Sequence, residues 1–133
     1  MVFCLRPHKI VAQGIGRTWQ IANPFPNYTL YENVKVSCLV NDDVHENMNE
    51  RVMECLSLVG LGELINEKAR NLPIGNLQRL EIARALATSP YLLLLDEPFG
   101  GLTHSEIQGL KRLISELQSK GVTIFNGCSV RRP

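Results

Sequence analysis

The sequence predicts an α/β fold, and three observations carry that expectation. Leu92, Leu93, Leu94 and Leu95 form an unbroken aliphatic run that stops at two adjacent carboxylates, Asp96 and Glu97. Such runs are strands of parallel sheets, buried by helices, whose carboxyl ends are where α/β proteins hold ligands. A second apolar run, residues 122–125, follows a stripe at helical spacing made by Ile107, Leu110, Leu113, Ile114 and Leu117. Residues 91–125 therefore read as a βαβ unit with a right-handed crossover. The third observation is a set of helical segments upstream, between residues 29 and 90.

Taken in order, Asn23, Pro24, Phe25, Pro26 and Asn27 make a turn-rich loop, because each proline disfavours helix in the residue before it. Thr29 with Glu32 three residues later is a capping box that opens a short helix through Val34 and Val36. A second helix is expected over residues 46–59, with Met48, Val52, Cys55, Leu56 and Val59 on one face and Gly60 as its stop. The segment Leu72-Pro73-Ile74-Gly75-Asn76-Leu77-Gln78-Arg79-Leu80 leads into a helical stretch over 81–88, with Asn76 as an N-cap and Pro90 as the end. Leu80, Ala83, Leu86 and Ala87 share its apolar face. Thr103 and Glu106 form another capping box, and Gly121 closes that helix. Residues 126–133 have neither periodicity nor an apolar run, and read as frayed.

Composition narrows the function classes. At 133 residues the chain is at most one domain, and its 14 basic and 13 acidic side chains are interspersed. No basic stripe points to nucleic acid and no acidic tract points to disorder. Cys4, Cys38, Cys55 and Cys128 lack metal-site spacing and read as ordinary thiols of a reducing compartment. Arg6, Pro7, His8 and Lys9 stand where a signal peptide needs its apolar core. No stretch approaches ~18 apolar residues, so a soluble chain is expected, with any membrane association through a partner.

Residues 72–80 and the Leu92–Glu97 run resemble the signature motif (LSGGQxQR) and the Walker B strand (hhhhDE) of ABC-type ATPases. Residues 5–32 resemble the Q-loop region of ATP-binding subunits from branched-chain amino-acid importers. The resemblance spans about residues 5–125 and implies a partial P-loop NTPase-type nucleotide-binding domain, with parallel strands and a helical subdomain. It divides the chain into a Q-loop region (1–28), a helical subdomain with the signature (29–90), the Walker B βαβ unit (91–125) and a divergent tail (126–133). No GxxxxGK(S/T) phosphate loop occurs in these residues, and Ser129 stands where a switch histidine belongs, which together imply a fragment. The Gly14-Ile15-Gly16-Arg17-Thr18 stretch is not that loop, since its first glycine would fall at Val11 and Arg17 replaces the lysine.

The resemblance also implies site roles. Asp96 and Gln20 would hold Mg²⁺, and Glu97 would act as general base on the water that attacks ATP. Gly75, Asn76 and Gln78 would belong to the signature surface that caps the γ-phosphate held by a second ATP-binding subunit. Gly75 has no side chain to block that phosphate, and a helix opening beside it offers N–H groups and a positive dipole end. Pro73 replaces the usual serine and Asn76 the usual glutamine, while Thr103 stands where the D-loop carboxylate belongs. The implied partners are transmembrane permease subunits and a second ATP-binding subunit, on the cytoplasmic face of the membrane, with no nucleic acid. Two other readings share these motifs: a non-catalytic pseudo-ATPase or interaction module, and the ATPase head of a DNA-repair protein. Against the latter, only 51 residues separate Gln20 from Leu72, without sustained heptads.

A phosphate loop contributes charge-assisted contacts of about 1.5–3 kcal/mol each. Without two of them, Mg-ATP binding weakens by about two to four powers of ten. Calorimetric titration of the 133-residue chain is therefore expected to give millimolar affinity or weaker. A one-to-one micromolar complex would contradict this and reveal another phosphate site.

Overall fold

Leu92–Leu95 (β2) is the middle strand of a three-stranded parallel sheet, between Ile15–Arg17 (β1) and Thr123–Asn126 (β3). The computed structural model describes residues 15–17, 24–39, 47–88, 92–95 and 100–126. Leu93 and Leu95, two residues apart and hence on one face, are buried, while Leu92 on the opposite face is half-buried. The three-residue β1, with a glycine at its centre, carries too little pattern to be read as a strand from sequence. β3 begins one residue later than residues 122–125, because the Val122 N–H is spent on the Leu117 carbonyl at 3.2 Å. It extends through Asn126, which pairs with Leu95, so the first of the residues read as frayed belongs to the strand, because a ladder of backbone groups does not depend on an apolar side chain.

The helices follow their caps. Leu30–Cys38 (α1) opens on the expected capping box: Glu32 N donates to Thr29 Oγ1 at 3.2 Å and Thr29 N to Glu32 Oε1 at 3.4 Å. Leu30, Asn33, Val34 and Cys38 are buried; Val36, two positions on from Val34, points off that face and is exposed. Met48–Leu58 (α2) buries Val52, Cys55 and Leu56 and stops at Gly60, whose φ of 78° suits glycine. Two short 3₁₀ turns, Gly62–Leu64 and Ala69–Asn71, then lead to Ile74–Leu86 (α3).

α3 starts earlier than the expected 81–88. Its N-cap is Pro73, not Asn76, since extended proline backbone (φ −61°, ψ 159°) leads directly into the first turn. His104–Ser119 (α4) has the second expected capping box, with Glu106 N donating to Thr103 Oγ1 at 3.2 Å and Thr103 N to Glu106 Oε2 at 2.8 Å. Leu110, Leu113 and Leu117 are its buried stripe.

Cys38 and Cys55 lie in the same core as free thiols. Burial raises both above the ordinary thiol range, Cys55 to about 11, so at neutral pH they pack as small apolar groups. Cys4 and Cys128 lie outside the described residues.

Asn33 fixes the loop before α1. Its side chain is wholly buried, and Oδ1 accepts from Phe25 N at 2.8 Å. Nδ2 lies within bonding distance of the carbonyls of Phe25 (3.1 Å), Tyr28 (3.2 Å) and Thr29 (2.9 Å). The loop is held from the other side by Ala69 N to Tyr28 O and Arg70 N to Pro26 O, both 3.0 Å. Asn33→Ala strands these buried groups and is expected to cost about 2–4 kcal/mol. Asn33→Asp, which keeps one acceptor but sets a charge among carbonyls, should cost at least as much. Urea unfolding of both variants checks this, and a loss below about 0.5 kcal/mol would remove the staple.

Candidate functional site

Parallel pairing sends the carboxyl ends of all three strands to one edge of the sheet, where Arg17 stands beside Leu94 and Asn126 beside Leu95. In sequence, Asp96 and Glu97 follow β2 directly and Gln20 comes three residues after β1. All three lie outside the described residues.

The first turn of α3 is described. Leu77 N makes the first intrahelical bond, to Pro73 O at 3.0 Å, and no side chain caps the helix. The N–H groups of Ile74, Gly75 and Asn76 are therefore the open donors of that turn, at the positive end of the helix dipole. Ile74 is exposed, and Gly75 and Asn76 are half-buried. Gln78, four per cent exposed, lies one turn deeper, so Gly75 and Asn76 are the two of the three expected signature residues that reach the surface.

Side chains of α4 and α3 reach toward glycines of the other helix. A Cβ placed on Gly75 would lie 2.9 Å from Glu106 Oε1 and 3.1 Å from its Cδ. One placed on Gly109 would lie 2.8 Å from Arg79 Nη2, and one on Gly101 3.4 Å from Ile74 Cδ1. Gly75 and Arg79 are four apart on α3, Glu106 and Gly109 three apart on α4, so each pair shares a helix face. Each helix thus opposes a glycine to the other's charged side chain. Arg79 continues past Gly109 to donate from Nη1 to Val59 O at 2.9 Å, closing the last turn of α2.

Sequence reasoning singled out Gly75 because it leaves room for an external phosphate; it did not see that the room is already taken by Glu106. The signal for Glu106 was absorbed into its capping box. Arg79 stood in the quoted motif without a role, and only the fold shows what it reaches.

Arranged this way, the site has backbone donors at a helix amino terminus, with a carboxylate and a guanidinium alongside. The donors lie at the positive end of the helix dipole.

The sequence pattern of the family described as "ABC transporter" matches residues 5–100. The lipoprotein-releasing system ATP-binding protein LolD of Pseudomonas syringae pv. tomato is 35% identical over 113 residues, 85% of this chain and 50% of that protein. The cell division ATP-binding protein FtsE of Streptococcus pneumoniae is 32% identical over 87% of this chain and 50% of its own length. The lipopolysaccharide export system ATP-binding protein LptB of Escherichia coli K12 is 32% identical over 89% and 49%. Among solved structures, a nucleotide-free ATP-binding cassette from an ABC transporter superposes with a TM-score of 0.80 at 26% identity, over 92% of this chain and 53% of that one. A dimeric post-hydrolysis cassette, MJ0796 bound to ADP and Pi, gives 0.75 at 28% identity, over 92% and 56%. The chain spans about half the length of the curated relatives it matches.

The interlock has a sharp thermodynamic signature. Gly→Ala inside a helix ordinarily stabilises by up to about 1 kcal/mol. Gly109→Ala is instead expected to destabilise, because its methyl displaces the Arg79 guanidinium from Val59. In an Arg79→Ala background the same change should become neutral or stabilising. Urea midpoints of the four proteins test this, and additive effects would mean that the two positions do not touch.

Proposed function

The chain belongs to the ABC transporter family, and on that premise we propose that it is the signature-bearing part of an ATP-binding subunit. The observation that carries the reading is the first turn of α3, where Gly75 and Asn76 sit among open N–H donors at a helix amino terminus. Those donors fit the terminal phosphate of an ATP whose phosphate loop belongs to a second subunit. Asp96 and Gln20 hold Mg²⁺, and Glu97 takes the proton of the attacking water; their motif positions after β2 and β1 support these roles. Residues 1–28, 29–90, 91–125 and 126–133 are, in this reading, the Q-loop region, the helical subdomain, the Walker B unit and the tail.

A permease partner is supported by the loop before α1. Phe25 and Tyr28 are 43% and 45% exposed, their rings 5.4 Å apart, on backbone held rigid by Asn33. Rigid exposed aromatics suit a docking surface, since little ordering remains to be done on contact. No described helix is long and apolar enough to cross a membrane, which fits attachment through such a partner. With α1 and α2 of nine and eleven residues, the described helical region has no long arm, which favours the transporter over a DNA-repair head.

The finer reading, import of branched-chain amino acids, is supported by the resemblance of residues 5–32. The curated relatives carry names from lipoprotein release, cell division and lipopolysaccharide export, so the family match supports the ATPase role more broadly than that cargo.

The test joins this chain to an amino-terminal phosphate-loop half. Glu97→Gln is expected to slow phosphate release about 10²–10⁴-fold while ATP still binds. In that background Gly75→Asp should abolish the Mg-ATP-dependent dimer seen by size exclusion, because it sets charge against both the phosphate and Glu106. An unchanged dimer fraction would end the shared-site reading.

A further inference from the structure

We propose that the rigid loop before α1 docks an acidic partner segment, one whose apolar residue settles on Phe25 and Tyr28 while flanking carboxylates meet Lys68 and Arg70. The inference rests on the docking reading given above and names the chemistry of what docks. Residues 68–70 run antiparallel beside the loop: Lys68 bridges Thr29, Ala69 N donates to Tyr28 O and Arg70 N to Pro26 O, both at 3.0 Å. Ala69 is buried, and Lys68 and Arg70 on either side of it are exposed next to the aromatic pair. The Arg70 guanidinium reaches the loop itself, with Nη1 3.4 Å from Asn27 Oδ1.

The charges of this surface are unevenly committed. Glu32 accepts from Thr29 N in the α1 cap, Glu67 accepts from Asn71 Nδ2 at 2.6 Å, and Glu81 is buried against Arg84. Among the described residues, neither Lys68 nor Arg70 pairs with a carboxylate. An approaching carboxylate therefore finds two cations without an ion partner, beside aromatic rings whose backbone Asn33 already holds. A basic segment meets like charge at the same two positions. Charges at the rim of an apolar seat decide which partner is accepted and how fast it arrives more than they add affinity.

Lys68→Glu combined with Arg70→Glu reverses the charge and leaves the backbone bonds of both residues in place, so the urea midpoint should hold. The experiment titrates the full 133-residue chain and this double variant at neutral pH and low salt, following the backbone amide resonances of Phe25 and Tyr28. The probes are an amphipathic peptide with leucines on one face and glutamates on the other, and its counterpart with lysines for glutamates. The glutamate peptide is expected to bind the chain about five- to thirtyfold more tightly than the lysine peptide. The double variant should reverse that order, and added salt of about 0.5 M should shrink the difference. Equal affinity for the two peptides, with clear shifts at Phe25 and Tyr28, overturns the acidic preference and leaves the docking surface standing. No shift with either peptide overturns both, and shifts produced instead by phosphatidylglycerol vesicles would then assign the surface to a membrane.

Discussion

Burial of α3 on most of its circumference is the constraint from which the rest of the structure follows. Gln78, Leu80, Glu81, Ile82, Ala83, Ala85 and Leu86 are all buried, and only Arg79 and Arg84 are half-exposed beyond the first turn. A helix so enclosed needs small residues where neighbours approach, and alanines at 83, 85 and 87 meet that need. Its polar groups must find partners inside. Glu81 pairs with Arg84 Nη1 at 2.6 Å, and Arg84 stacks 5.4 Å from the centroid of the Phe25 ring. The Leu86 carbonyl, left over at the carboxyl end, accepts from Arg51 Nη2 at 2.6 Å. Each of these arginines ties α3 to another element.

Arg51 and Arg79 tie the helical subdomain together. Arg51 runs from α2 to the end of α3, and Arg79 from α3 to the end of α2. The two helices thus close each other's carboxyl ends, where cations suit the dipole. The loop before α1 joins through Asn33 and the Tyr28–Ala69 and Pro26–Arg70 bonds. Its exposed aromatics therefore cannot move without α1 and the segment leading into α3.

Periodic and capped segments were legible in the sequence. Both Thr–x–x–Glu boxes, the leucine strand and the α4 stripe stand where reading placed them, because cap, period and burial agree there. The start of α3 was not legible. Proline and glycine read as loop, and only the packing of the following turn decides that the helix begins between them. β1 was missed because three residues with a central glycine acquire strand identity only from the neighbour they pair with. At the site, the motif named Gly75 and Asn76, but the α3–α4 interlock depends on which glycines face which charges, and the two segments are some thirty residues apart. The metal and base positions, Gln20, Asp96 and Glu97, rest on motif alone, outside the described residues.

That division explains how the signature tolerates its departures from the family pattern. Pro73 removes a hydroxyl, yet its extended backbone still opens the helix, and the open donors of the first turn belong to the main chain of Ile74, Gly75 and Asn76. A site built from backbone N–H groups survives side-chain exchange so long as the turn keeps its conformation. Bulk costs more where another part of the chain lies close by. Ile74 replaces a small residue at the outer edge and stays exposed, resting on Gly101, whose φ of 76° turns the chain beneath it. Gly75 has less room, because the Glu106 carboxylate lies close to where its side chain would be. Of these positions, then, Gly75 is the one whose size the fold itself limits, through a side chain at the start of α4 that must shift before a larger residue fits.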